Sequence, residues 1–155
     1  MFGELNPAEI EEVLMQQIIG RIGCHANDMT YIVPISYVYD GKCIYARAFD
    51  GLKIELMRKN PKVCFQVDTM ENMANWKSVI AWGNFKELTE AGERSKGIQK
   101  LLVRKIPGIA SKTVQFSSQW PFSSNEDLDK IDGIIFSIYL NEKTGRFERS
   151  DEVRF

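Results

Sequence analysis

Arg47, Gly51 and Lys53 are spaced so that together they could hold an anion of phosphate geometry. Asp50-Gly51 opens a short helical pattern, Leu52 to Lys59, that Asn60-Pro61 stops. A helix start points backbone N–H groups outward, Gly51 allows a ligand close to the backbone, and Lys53 brings a cation. Arg47, at the end of the preceding strand, could add a two-pronged contact to phosphate oxygens. The competing reading makes Asp50 a helix cap and Lys53 a solvated surface charge. His25, the only histidine, could donate a proton, although its place after a strand suits a surface or turn role. The sequence carries no Ser-His-Asp pattern, no Gly-x-Gly-x-x-Gly and no Walker phosphate loop.

The bulk composition narrows the partners. At 155 residues, 44% apolar and 26% charged, residues 1–155 fit one globular domain. Twenty basic against 21 acidic residues give a net charge of −1, which offers no electrostatic footprint for nucleic acid or an anionic membrane. No apolar run approaches the roughly 20 residues of a membrane span, and Met1–Leu5 does not look like a signal peptide. Cys24, Cys43 and Cys64 are odd in number and fit no zinc spacing, so no metal is expected. They read as buried, reduced thiols of a cytoplasmic protein.

The elements that must position these residues follow from local signals. Asn6-Pro7-Ala8-Glu9 is a helix start with a capping box, and Ile10, Val13, Leu14 and Ile18 recur at helical spacing. Gly20 ends that helix or begins the next strand. Residues 21–25 and 30–39 read as strands joined around Asn27-Asp28, and Asp40-Gly41 turns into a strand at 42–48. Pro34 marks an edge, a bulge or a place where a ligand meets the backbone, because proline cannot donate to a ladder. Strands at 63–67 and about 77–88, a helix from Thr89 to Arg104, and a strand at 134–140 follow. Asn141–Gly145 reads as a turn into a short tail. About six antiparallel strands with three short helices and no βαβ alternation pack naturally as a mostly β, barrel-like domain with peripheral helices.

An ordered set of segments carries a family resemblance: Ile19–Gly23, Tyr31–Tyr37, Gly51-Leu52-Lys53, Asn60–Asp68 and Trp76–Gly83. Together they resemble the pyridoxamine 5'-phosphate oxidase-like flavin proteins, in the branch that includes the nitroimidazole-resistance reductases. The resemblance implies an FMN-binding split β-barrel that works as a homodimer, with FMN at the subunit interface and two equivalent sites. It implies that the flavin ring lies against Val33, Pro34, Ile35 and Ser36, and that Arg47, Ala48, Gly51 and Lys53 meet the phosphate. Trp76, Ser78 and Val79 match a second cofactor segment, at the phosphate or ribityl end, whereas Trp82 is assigned to the core. Trp120, in the serine-rich stretch 117–125, is either a dimer contact or a lid over the ring. The chain departs from the family pattern at Ala48, where a small hydroxyl residue is usual, and at Arg47, where histidine is common. Losing a hydrogen bond to a charged phosphate costs about 1.5–3 kcal/mol.

The leading functional expectation is an FMN-dependent oxidoreductase moving electrons from a reduced nicotinamide or similar donor to a small organic acceptor. The cofactor would carry the redox chemistry while the protein binds and orients it. The alternatives are a non-catalytic flavin carrier or sensor, and a haem-binding barrel, for which a single histidine leaves few axial ligands.

Overall fold

The computed structural model describes residues 1–104 and 131–152. Its helices begin where their caps place them. At α1 (Pro7–Gln16) the Asn6 side chain accepts from the Glu9 N–H at 2.9 Å, and the Glu9 carboxylate accepts from the Asn6 N–H at 3.2 Å. Ile10, Val13 and Leu14 bury the apolar stripe; Ile18 lies beyond the last turn. The bounds of α2 (Leu52–Lys59) are those the sequence predicts. Glu90 moves the start of α3 (Ala91–Leu102) two residues on, because its carboxylate accepts from the Gly92 and Glu93 N–H groups and so caps the helix there.

Among the described residues eight strands form one antiparallel sheet, rather than about six: β1 (Phe2–Glu4), β2 (Ile19–Ala26), β3 (Met29–Ser36), β4 (Val38–Tyr39), β5 (Cys43–Ala48), β6 (Lys62–Asn72), β7 (Asn75–Glu87) and β8 (Ile134–Glu148). Asn27 and Asp28, at φ 54° and 58°, make the tight turn between β2 and β3. The expected strand at 30–39 divides at Tyr37, whose N–H leaves the ladder for the Ile18 carbonyl. The largest correction concerns 141–145, which do not turn the chain. They continue β8 through a bulge, where the register against β7 moves from Leu140–Gly83 to Glu142–Trp82.

Strand order is β3-β2-β6-β7-β8-β5-β4, with β1 added to β8. The sheet curls until β3 comes against β5. Among the described residues no ladder joins those two strands, so the barrel stays split along that seam. Alternation sends Ile22, Phe65, Val67, Val79 and Ala81 inside, under Leu14 of α1. Tyr37 meets Phe65 edge-on at 4.8 Å between ring centres. Gly20 lies so close that a Cβ there would sit 2.2 Å from the Phe65 ring. A second apolar cluster seats Ile98 and Leu101 of α3 on the outside of β5 and β8, against Tyr45 and Ile135.

The Tyr37 hydroxyl donates to the Leu14 carbonyl at 2.8 Å, deep in the core. Leu14 is in the last turn of α1, where carbonyls have no helical partner. Tyr37→Phe therefore leaves a buried acceptor unsatisfied and is expected to lower stability by about 1–3 kcal/mol. Urea unfolding checks this, and an unchanged midpoint would refute it.

Two burial expectations are corrected. Cys24 is buried, but Cys43 and Cys64 are only half-buried, and all three thiols are free. Trp82 is 41% exposed, not core, because it shares the outward face of β7 with Ile80 and Asn84. Among the described residues no helix is long and apolar enough to cross a membrane.

Candidate functional site

The edge position of β3 explains Pro34. On an antiparallel edge strand every other residue points its backbone groups away from the ladder, and at such a position the missing N–H of proline costs nothing. Alternation divides the predicted ring segment. Pro34 and Ser36 face outward beside Ile32, whereas Val33 and Ile35 pack on the core and turn their backbone groups toward β2.

Register extends this outer face across four strands. Pro34 pairs with Arg21, Arg21 with Gln66 and Gln66 with Ile80; one step along, Ile32, Gly23, Cys64 and Trp82 form the next row. Arg21 donates to Asp68 at 2.9 Å and to Gln66 at 3.4 Å, and the Gln66 amide donates to the Ser78 hydroxyl at 3.1 Å. Ser78 thus belongs to a polar network that sequence reasoning missed. The signal was present: Arg21, Gln66, Asp68 and Ser78 all hold outward positions of period-two strands. The row beside it borders a hollow of about 530 Å³ walled by Ile32 and Trp82, with Cys64 between them. His25 lies on its rim, still within β2 and hydrogen-bonded to Thr30 at 2.9 Å. Burial pushes the neighbouring Cys24 thiol up, with the Cys64 charge adding to the shift, so Cys24 is a poor nucleophile.

The remaining β7 candidates behave differently. The Trp76 indole N–H donates to Glu148 at 2.9 Å, which fixes the half-buried ring. Val79 is fully buried and contributes to the core.

At the β5–α2 junction the structure separates the anion candidates. Ala48 points into the barrel. Asp50 does not cap α2; it pairs with Arg58 at 3.3 Å. Gly51 is the cap residue and brings no side-chain hydrogen bond, so the first N–H groups of α2 are open. Lys53 is half-buried and, among the described residues, makes no ion pair and no side-chain hydrogen bond. Arg47 is engaged instead: Nε donates to the Asp132 carbonyl at 3.0 Å and Nη2 to its carboxylate at 2.6 Å.

Within one chain these sets do not all meet. Ala48 pairs with Ile134 at the start of β8, and Ser78 pairs with Arg146 near its end. Twelve positions of strand separate those two partners, roughly 40 Å of path at about 3.3 Å per residue. The first set, however, neighbours β3 across the split seam. Trp120 lies outside the described residues.

A family model described as pyridoxamine 5'-phosphate oxidase matches residues 6–131, which span β3, the β5–α2 junction and β7. The chain belongs to this family. An uncharacterized protein of Rhizobium meliloti (strain 1021) is 38% identical over 84 residues, 54% of this chain and 56% of that protein. The chain thus aligns with little more than half of that relative. Among solved structures, a FAD-binding protein from Mesorhizobium loti is 29% identical, with 96% of this chain and 99% of that one covered at a TM-score of 0.74. A candidate 5-nitroimidazole antibiotic resistance protein from Bacteroides thetaiotaomicron is 16% identical, with 95% of this chain and 87% of that one covered at a TM-score of 0.67, a likeness of fold. The family's split barrel is the architecture described above.

Proposed function

We propose that this chain is an FMN-binding oxidoreductase that works as a homodimer, passing electrons from a reduced nicotinamide or similar donor to a small organic acceptor. The observation that carries the reading is Lys53. A half-buried cation with no ion pair among the described residues stands at a helix start whose cap brings no side-chain hydrogen bond, and the strand before that helix meets the edge strand β3 across the seam. Those are the two features a flavin phosphate and a flavin ring edge require. Ala48 and the engaged Arg47 fit the cofactor less well, which leaves Lys53 and the α2 N–H groups as the main phosphate ligands. FMN would supply the hydride and electron chemistry; the protein would bind its phosphate, present backbone groups to its ring and exclude water.

The same geometry supports the dimer reading. Ser78 and Trp76, on β7, pair with the end of β8 far from its contact with the β5–α2 junction, so a second copy would bring them to the first copy's cofactor. The exposed apolar face that carries Ile32, Ile80 and Trp82 is the surface that such pairing would cover. Three free thiols suit a reducing, cytoplasmic setting.

Freshly purified protein should be yellow and release FMN on denaturation. Because the Mesorhizobium relative is described as FAD-binding, the released flavin is to be identified by chromatography. A colourless protein that takes up neither added FMN nor FAD ends the flavin reading. Lys53→Met should weaken FMN about tenfold or more while leaving riboflavin, which lacks the phosphate, unchanged. Equal losses for both ligands would remove Lys53 from the phosphate site. NADH or NADPH oxidation with quinone and nitroaromatic acceptors tests catalysis. Bound flavin without turnover would support the carrier or sensor reading, which the neutralised Arg47 also favours.

A further inference from the structure

Two arginines fasten the chain where it enters β8. Arg94 of α3 donates to the carbonyls of Ile131 at 2.6 Å and Gly133 at 3.1 Å. Arg47 of β5 takes the residue between them, through the Asp132 carbonyl and its carboxylate. Gly133 permits this wrap. Its φ is +94°, and a Cβ there would lie 3.0 Å from the Arg47 Nε.

The two clasps differ in what could replace them. Arg94 donates to backbone oxygens that cannot leave without moving the chain. One of the Arg47 contacts is to a carboxylate whose side chain is 80% exposed, whereas the Arg47 side chain is only 18% exposed. The cation is therefore fixed in place by the fold and its anion is not. Water competes for the carboxylate, so the ion pair is weak. Arg47 also lies four residues before Gly51 and six before Lys53, on the strand end that leads into the open helix start. A phosphate has the charge and the spread of oxygens to take the Nη edge of the guanidinium, while Nε keeps the Asp132 carbonyl.

We propose that Asp132 is an internal competitor for the cofactor phosphate at Arg47, and that this pair sets how strongly the site prefers a phosphorylated flavin to an unphosphorylated one. The inference rests on the flavin reading of the site. It makes Asp132 a specificity-determining residue, contributed from 85 positions away in the chain. The carboxylate holds Nη2 of Arg47 when no phosphate is present and weakens phosphate binding by the amount needed to displace it.

The test is the affinity of the full chain for FMN and for riboflavin, by titration at low ionic strength, in four proteins: the unaltered chain, Asp132→Asn, Arg47→Met and the double variant. Asp132→Asn should tighten FMN about two- to fivefold and leave riboflavin unchanged. In the Arg47→Met background the same substitution should change neither. A purely structural role for the clasp predicts the opposite sign, a loss shared by both ligands. Equal changes for FMN and riboflavin, or a gain that persists without Arg47, overturn the competitor role and leave the flavin site standing. A chain that binds neither ligand overturns both.

Discussion

Glutamates in place of Ile32 and Trp82 should break the proposed dimer into monomers and empty the proposed flavin site. Both side chains stand on the outer face of the sheet, 69% and 41% exposed, on opposite walls of one hollow. A two-fold partner covering that face would bury each of them twice per dimer. At about 1.5–3 kcal/mol for each buried large apolar side chain, four lost burials amount to roughly 6–12 kcal/mol before any charge repulsion is counted. Dimer affinity should fall on the order of ten-thousandfold or more. Stability should change little, because neither side chain enters the core. Light scattering at micromolar concentration reads the first effect, and flavin absorbance after gel filtration reads the second. An unaltered chain that is already monomeric would sink the dimeric site. A doubly charged variant that remains dimeric would place the interface elsewhere.

Phe65→Ala should be the most damaging single core substitution. The ring is fully buried, lies edge-on to Tyr37 and fills the space left open by Gly20. Removing it creates a cavity between β2, β6 and the residues under α1, and a closely hydrogen-bonded sheet can relax only partly into the gap. The expected loss is about 3–5 kcal/mol, which for a chain of this size lowers the melting temperature by roughly 10–15 °C. Calorimetry checks it, and a shift of only a few degrees would mean that the barrel collapses around the missing ring. Gly20→Ala is the complementary change: its Cβ would collide with the same ring, so it should also destabilise.

Much of this architecture was legible locally. The bounds of α2 follow from Gly51 and Asn60-Pro61, and α1 follows from its capping box, because caps and breakers act within four residues. The outward positions of Pro34 and Ser36 follow from strand alternation. Residues 141–145 misled because their polar and glycine content mimics a turn. In the fold, Glu142, Thr144 and Arg146 lie opposite outward residues of β7, and Gly145 is where Leu5 and Ile10 pack down on β8. Pairing over long distance overrode local propensity. Trp82 misled for a related reason: hydrophobicity alone does not say which face of a strand a residue takes. At the site, the spacing of Gly51 and Lys53 was visible because both belong to one helix start. The engagement of Arg47 was not, since Asp132 carries no local signal that it returns to β5.

The long β8 also governs how the protein is made. It supplies the partner for β5, for β7 and for β1. Until it emerges, β5 has, among the described residues, only the two-residue β4 to pair with, and its Ile44, Tyr45 and Ala46 lack the strand that covers their edge. Ala48 must wait for Ile134, 86 positions later. At about 5–20 residues per second of translation, that is an interval of roughly 4 to 17 seconds. A nascent chain of this protein therefore spends seconds on the ribosome with an apolar strand edge exposed, which makes it a natural client for chaperones that shield such edges during synthesis.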